Sequence, residues 1–300
     1  MDYFLELFVS GLTRGSIYAL IALGYTMVYG ILELINFAHG EIYMIGAFTG
    51  LIAATLIAWT ALPPAAVLLV AAAAAVAWAA AWGLAVERIA YRPLRGAPRL
   101  APLISAIGVS ILLQNFVLIT QTPDFVSFPN LVPEIPLLAP YTAVIGSTEA
   151  VILLVTAAAM LGLTLFVRGT RTGRAMRAVA QDRTMALLCG VDVDRVIAVT
   201  FAVGSALAAL GGVLIGSHVG QINFAIGFLA GIKAFTAAVL GGIGSIPGAV
   251  LGGFILGWTE SFAAGYISSA YEDAFAFCLL VAILIVRPSG LLGRSTAGRA

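Results

Sequence analysis

The stretch AAVLLVAAAAAVAWAAAWGLAV, residues 65–86, contains no charged side chain over 22 consecutive positions. Its length matches the roughly 20 apolar residues with which an α-helix crosses a lipid bilayer. Because backbone polar groups in lipid must be hydrogen-bonded within their own segment, this run predicts a transmembrane helix. Similar runs recur from end to end, so the sequence predicts an all-α, polytopic membrane protein.

The apolar runs predict eight to nine crossings within one transmembrane domain, residues 1–300. The approximate spans are Phe8–Leu32, Ile42–Leu62, Ala65–Val86, Leu100–Thr120, Ala143–Val167, Val196–Val219, Gly227–Gly241, Ala249–Tyr266 and Ala274–Val286. The glycine- and proline-containing stretch Gly241–Gly248 is interpreted as either a tight turn or a break at membrane depth. No basic start of a secretory signal precedes the first run, so we expect that run to be kept as a helix.

Composition supports the same class. The chain is 61% hydrophobic and 10% charged, with a mean hydropathy of +1.07, whereas soluble domains carry roughly 25% charged residues. So few charges cannot cover the surface of a soluble protein of this size. Cys189 and Cys278 indicate no disulfide framework.

The basic residues indicate the orientation. Thirteen of the fifteen fall in three regions, residues 88–99, 168–195 and 287–299, which alternating crossings place on one side. Loops on the other side carry Asp124, Glu134, Glu272 and Asp273 but no basic residue. Since cytoplasmic loops are enriched in lysine and arginine, we expect the arginine side and the C-terminus to be cytoplasmic. A nine-span count then places the N-terminus outside.

The arginine-rich segment 168–195 has the pattern of an amphipathic helix outside the membrane. Arg171, Arg174 and Arg177 share one helical face, small and apolar residues follow, and Gly190 ends the run. Asp192 or Asp194 is expected to cap the next helix. This pattern fits docking into a groove on a partner protein and equally a basic loop on anionic lipid headgroups.

Polar residues near membrane depth form a second set of candidates. Asn36, His39 and Glu41 could relay protons or bind metal, but with two histidines in the chain, helix capping and a buried hydrogen-bond network are favoured. No metal or other cofactor is predicted.

Arg14, Glu149, Lys233 and Glu260 lie within or near apolar spans. Charged groups at that depth usually face a bundle interior, a partner or a watery cavity, whereas snorkelling to the interface is the alternative. Pairs of glycines four residues apart at 212/216, 248/252 and 253/257 predict close helix packing.

The chain lacks an ATP-binding loop. A P-loop requires Gly-x-x-x-x-Gly-Lys followed by Ser or Thr, and the only lysine, Lys233, follows Ile232 and precedes Ala234. No nucleophile–base pair is apparent either, so the sequence does not predict an enzyme.

Several long segments resemble one family. They are residues 15–30 (GSIYALIALGYTMVYG), 35–41 (INFAHGE), 87–95 (ERIAYRPLR), 173–178 (GRAMRA), 233–248 (KAFTAAVLGGIGSIPG) and 287–293 (RPSGLLG). In this order and over nearly the whole chain, they resemble the LivH-like permease subunits of high-affinity branched-chain amino acid ABC importers.

The resemblance implies import of Leu, Ile and Val across a prokaryotic inner membrane by alternating access. It also implies four kinds of partner: two cytoplasmic ATP-binding subunits, a second homologous permease, an extracytoplasmic substrate-binding protein and the lipid bilayer. No nucleic-acid partner is expected. ATP hydrolysis would then take place on a separate subunit.

The resemblance places the ATPase-coupling segment between residues 168 and 195. Its candidate residues are Arg174, Arg177, Asp182, Ala186, Gly190 and Arg195. The segment lacks the Glu-Ala-Ala start and the following Leu-Pro of the general importer pattern, which leaves the individual contacts open.

Candidate residues of the substrate pathway are Asn36, His39, Gln114, Asn115 and Lys233. Two alternatives stay open: import of urea, short amides or other small solutes by the same class of protein, and an ion-coupled secondary transporter in which His39 and Glu41 form the proton site.

Overall fold

The computed structural model describes residues 2–60, 62–98, 100–136 and 145–293. Its helices are α1 (Asp2–Leu32), α2 (His39–Ile57), α3 (Pro64–Val86), α4 (Leu100–Thr120), α5 (Ser147–Gly169), α6 (Arg171–Gln181), α7 (Arg183–Leu188), α8 (Val193–Val219), α9 (Ile226–Gly241), α10 (Ile246–Tyr266) and α11 (Glu272–Val286). A π-helical turn, Glu87–Tyr91, and a 3-10 turn, Arg92–Leu94, continue α3, and a second 3-10 turn, Ser269–Tyr271, precedes α11. Strands β1 (Val126–Ser127) and β2 (Gln221–Ile222) pair antiparallel.

The structure roughly matches the predicted eight to nine crossings, but the two separate spans predicted at Gly227–Gly241 and Ala249–Tyr266 are instead one bent pair of helices. Within the described ranges, seven helices are long and apolar enough to span a bilayer, and α9 and α10 together pass the same test as a pair bent by 119°. The bend falls at residues 242–245, inside the segment for which a turn or break was predicted. Gly242 and Gly244 have φ values of 103° and 92° there, a conformation that glycine adopts without strain.

Helices α1 and α10 form the most extensive helix pair, and glycines bring their backbones together. A β-carbon at Gly15 would lie 2.7 Å from the Gly253 carbonyl oxygen, and one at Gly257 would lie 2.6 Å from the Gly15 α-carbon. These distances are too short for any side chain. The predicted role of the 253/257 glycine pair in close packing is thereby confirmed.

Helix α2 begins deep inside the bundle. His39, its first residue, contacts the Ile21 carbonyl, and Ile21 lies 11 residues before the end of α1, about 16 Å along the helix axis. Residues 33–38 therefore leave the end of α1 and fold back toward the middle of the bundle. The predicted second span began at Ile42 and missed this re-entrant segment.

One end of the bundle, here called the arginine end, gathers most of the arginines. Arg183 donates to the carbonyl of Ile31 at the end of α1, and Arg92 and Arg95 bind Asp194 at the start of α8. The tail joins the same end, since the Leu291 amide donates to the carbonyl of Leu240. The three arginine regions thus share one end, as predicted, although Arg99, Arg294 and Arg299 lie outside the described residues.

The other end, here called the sheet end, carries the β1–β2 pair. The Phe128 amide donates to the carbonyl of Gly220 at 2.8 Å, and the Phe128 ring packs where a side chain at Gly216 would otherwise lie. The long loop before α5 is anchored in this way to the end of α8.

Candidate functional site

The segment between α5 and α8 contains two short helices, α6 and α7, and both of them and α8 begin at capping residues. The Gly173 amide donates to Thr170 Oγ1 at 2.9 Å, and the Met185 amide donates to Asp182 Oδ1 at 2.9 Å. The Arg195 amide donates to Asp192 Oδ1 at 3.0 Å. Each cap satisfies a backbone donor that a helix start leaves free, so α6, α7 and α8 start at fixed positions.

A glycine fixes the end of α7. Gly190 has a φ of 79°, its amide donates to Leu187, and the Val191 amide donates back to Ala186 at 3.0 Å. This left-handed helix end strongly favours glycine. Ala186 is buried against the bundle, so Asp182, Ala186 and Gly190 together hold α7 in place.

Three apolar side chains of α7 point away from the bundle. Met185, Leu187 and Leu188 are 61%, 62% and 75% exposed, and α7 belongs to none of the membrane-spanning helices. We call these three residues the docking knob. Apolar side chains grouped on a helix outside lipid are a feature of surfaces that bind another protein.

Helix α6 is amphipathic, as predicted. Arg171, Arg174 and Arg177 are exposed along one face, and Gly173, Met176 and Val179 are buried on the other. The Arg177 guanidinium also donates to the Val167 carbonyl, which ties α6 to the end of α5. Of the two predicted caps for α8, Asp192 takes this role and Asp194 binds Arg92 and Arg95 instead.

Asn36, His39 and Glu41 lie in a densely packed junction at the start of α2. Asn36 Oδ1 accepts from the Ala38 amide and from the Tyr91 hydroxyl. The Glu41 carboxylate accepts from Ser110 at 3.1 Å, and its second oxygen has no hydrogen-bond partner.

Glycines close this junction around the polar groups. A β-carbon at Gly24 would overlap the His39 ring, and one at Gly40 would lie 2.8 Å from the α-carbon of Gly231. The polar and glycine positions therefore pack α1, α2 and α9 closely against one another. In this conformation the junction is a buried hydrogen-bond network of the kind that the sequence favoured.

Lys233 belongs to a second, separate cluster. Its Nζ lies 3.1 Å from Glu260 and 2.6 Å from Asp273, and the Tyr18 hydroxyl donates to the other oxygen of Glu260 at 2.7 Å. Nearby, Arg14 pairs with Glu272 at 3.0 Å. Three of the four charged groups predicted within or near the spans, Arg14, Lys233 and Glu260, are therefore ion-paired between α1, α9, α10 and the first turn of α11. The fourth, Glu149 on α5, lies 3.6 Å from Nδ1 of His218 on α8.

Gln114 and Asn115 lie on α4, the helix whose Ser110 donates to Glu41 in the α2 junction. The Asn115 side chain is exposed and donates to the Ile111 carbonyl of its own helix. The five candidate pathway residues are thus not gathered at one site: Asn36 and His39 lie in the α2 junction, Lys233 lies in its own cluster, and Gln114 and Asn115 lie on α4, where Gln114 is half-buried and Asn115 exposed. Their role in a pathway stays a prediction.

Comparison with known proteins identifies the family. Residues 7–284 match the family described as "Branched-chain amino acid transport system / permease component". The chain belongs to this permease family. It is 52% identical to the high-affinity branched-chain amino acid transport system permease protein BraD of Pseudomonas aeruginosa, over 97% of this chain and 96% of that protein.

Further relatives extend the same family. The permease is 50% identical to the LivH permease protein of Escherichia coli K12, again over 97% of this chain and 96% of that protein. A probable branched-chain amino acid transport permease of Methanocaldococcus jannaschii is 27% identical over 91% of this chain. The resemblance inferred from the sequence segments is confirmed.

Sequence reasoning selected residues that build α7 and missed the side chains that α7 exposes. Asp182, Ala186 and Gly190 build α7, whereas the side chains available to a partner are those of the docking knob. The signal was present as a run of apolar residues at 185–188, but which of them face outward depends on how α7 packs.

Proposed function

We propose that this permease carries branched-chain amino acids inward, driven by two ATP-hydrolysing subunits that dock on α7. The observation that carries the proposal is the docking knob, three exposed apolar side chains on a rigidly capped helix outside the membrane spans. A six-residue helix is unstable alone, so its two caps and its buried Ala186 serve to present this surface to a partner.

The arginine end is the cytoplasmic end in this proposal. The positive-inside rule supports this orientation, and it places both α7 and the tail Arg287–Gly293 in the cytoplasm of a prokaryotic cell. The sheet end then faces outward and offers its loops to a substrate-binding protein. A second, homologous permease completes the pathway.

The proposed coupling residues divide by role. Asp182, Ala186 and Gly190 position α7, and the exposed Arg174, Arg177 and Arg195 surround it with positive charge suited to an acidic rim on the ATPase. Movement of the two ATPases toward each other would pull on α7 and, through the α6 contacts with α5 and α1, on the bundle. This is the mechanical link that alternating access requires.

Selectivity is assigned to the binding protein in this proposal. A permease that held its solute tightly would release it slowly, so weak contacts along the pathway suffice. The relatives named for branched-chain amino acid transport support Leu, Ile and Val as the solutes.

Uptake into proteoliposomes tests the proposal. The permease is reconstituted with its partner subunits and binding protein, and uptake of labelled leucine, urea and acetamide is compared. We expect leucine uptake that requires ATP and the binding protein and persists after ionophores dissipate ion gradients. Uptake that ignores ATP but collapses with the proton gradient would contradict it and favour an ion-coupled transporter.

A further inference from the structure

A cavity of about 390 Å³ opens at the arginine end, between the end of α1 and the α6–α7 segment. One part of its wall is aliphatic: Ile31, Leu32, Leu34, Pro102 and Val179. Its volume falls at the small end of the range for ligand pockets. The cavity could therefore hold one small molecule with an aliphatic part.

The rest of the wall carries charges of both signs. Glu33, Arg95, Asp182 and Arg183 line the same cavity. Arg183 is fixed there because its Nε and Nη2 donate to the Ile31 carbonyl at 3.2 and 2.6 Å. Arg95 is fixed by ion pairs to Glu87 and Asp194. Because Arg95 is already paired with two carboxylates, Arg183 and Glu33 are the opposite charges left to meet a ligand, which suits a ligand that carries one positive and one negative group.

The charges act on one another across the cavity. Burial lowers the pKa of Arg183, the negative charge of Glu33 raises it, and the positive charge of Arg95 lowers it. The guanidinium stays protonated under all physiological conditions. Glu33, Arg95 and Arg183 are thus close enough to one another for their charges to interact. A ligand with one positive and one negative group needs a site in which opposite charges lie this close together.

Glu33 occupies a strained position. Its φ is 55°, the only positive value at a residue other than glycine among the described residues. Its amide donates to the Tyr29 carbonyl at the end of α1, where a left-handed residue is usually glycine. Strain of this kind is found where a side chain serves a function, and the side chain here is a carboxylate in the cavity wall.

We propose that this cavity binds a zwitterionic α-amino acid with an aliphatic side chain, taken from the cytoplasm. Glu33 receives the ammonium group, Arg183 receives the carboxylate, and the aliphatic wall covers the side chain. The ligand class and the side of the membrane rest on the proposed function. The site is distinct from the pathway candidates at the α2 junction and at Lys233.

A ligand in the cavity would contact the start of α7. Asp182 caps α7 and Arg183 is its first residue, so a ligand between them and Glu33 joins the docking helix to the end of α1. A ligand that binds one arrangement of α7 better than another shifts the equilibrium toward it. Accumulated product would in this way slow further import.

Binding to the complete transporter in nanodiscs, without the binding protein, tests the site. We expect saturable binding of labelled leucine, weakened about tenfold or more by Glu33→Gln, because a hydrogen bond between charged groups is removed. Arg171→Gln, the matched control, changes the charge of an exposed α6 residue outside the cavity and leaves binding unchanged. 4-Methylpentanoate and isopentylamine, which each lack one charge, compete at least tenfold more weakly than leucine.

Three results would overturn the assignment. Leucine binding that Glu33→Gln leaves intact places the ligand elsewhere, and equal competition by 4-methylpentanoate makes the cavity a simple anion site. The third result comes from cysteine labelling. In a Cys189→Ser/Cys278→Ser background, a cysteine introduced by Ala97→Cys lies in the cavity wall, and we expect leucine to slow its reaction with maleimide. If the ATPase slows the reaction and leucine does not, the cavity belongs to the docking interface instead.

Uptake separates the two proposals, and it is measured after the same purified complexes are reconstituted into proteoliposomes with the binding protein. Uptake that depends on ATP and the binding protein, together with absent cytoplasmic binding, removes only the cavity site. If the wild-type complex shows no uptake that depends on ATP, the proposed function itself is wrong.

Discussion

The Lys233 cluster allows a test of whether its charges stabilise the fold or carry solute. Lys233→Met keeps most of the length of the side chain and removes its charge. Glu260, which is fully buried, is then left with the Tyr18 hydroxyl alone. Removing one partner of a buried ion pair costs about 3–5 kcal/mol. For a chain of 300 residues, 3 kcal/mol corresponds to a fall of roughly 5 °C in Tm.

The partner mutation supplies the control. Lys233→Met combined with Glu260→Gln leaves a neutral amide that still accepts from Tyr18, so most of the lost Tm should return. Asp273 needs no compensation, because its side chain is 49% exposed and water can solvate it. Thermal unfolding in nanodiscs, followed by tryptophan fluorescence, measures all three proteins.

Two outcomes would refute this reasoning. A single mutant that melts within about 2 °C of wild type would show that the pair contributes little to stability. A double mutant as unstable as the single one would show that the unpaired Glu260 is not the cause. Leucine uptake by a stable double mutant decides the other question, since normal transport would remove Lys233 from the pathway candidates.

Three further predictions follow from the docking knob and the glycines. Leu188→Asp should weaken ATPase docking by about 2 kcal/mol or more, roughly thirtyfold in affinity, measured by pull-down of the ATPase; unchanged recovery would contradict the role of α7. Gly190 and Gly220 both have φ near 78° and open space around them, so replacing either with alanine should lower the free energy of unfolding by about 1–2 kcal/mol. Only Gly190→Ala should reduce permease-stimulated ATPase activity. Gly257→Ala should destabilise the bundle by about 1–3 kcal/mol, whereas Gly162→Ala, with nothing within 4 Å, should stabilise it by about 0.5–1 kcal/mol; equal Tm values would argue against close α1–α10 packing.

Much of the fold was predictable because membrane insertion is governed by local sequence. The apolar length of a segment such as residues 65–86 sets whether it can span lipid, and the one-sided arginines group into a common end without knowledge of any contact. The same holds for capping: Asp192 and Gly190 start and end helices through hydrogen bonds to residues within five positions.

The candidate site was predictable only in outline. The pattern of segment 168–195 predicted an amphipathic region suited to docking. The sequence could not, however, separate the residues that build α7 from those that α7 exposes. Burial of Ala186 and exposure of Leu188 depend on how α7 packs, and helical periodicity is weak over six residues. The pathway candidates were also chosen for their polarity alone, and the structure places Asn36, Asn115 and Lys233 apart from one another.

By itself, the sequence determined a polytopic helical bundle, its crossings, the end that gathers the arginines and the family to which the permease belongs. These properties follow from lengths, charges and short motifs within single segments. Only the tertiary structure decided that α2 begins midway through the bundle, that Lys233 joins Glu260 and Asp273, and that Glu33 meets Arg183 across a cavity. Such features depend on contacts between residues far apart in the chain, whose free energies exist only once the helices have packed.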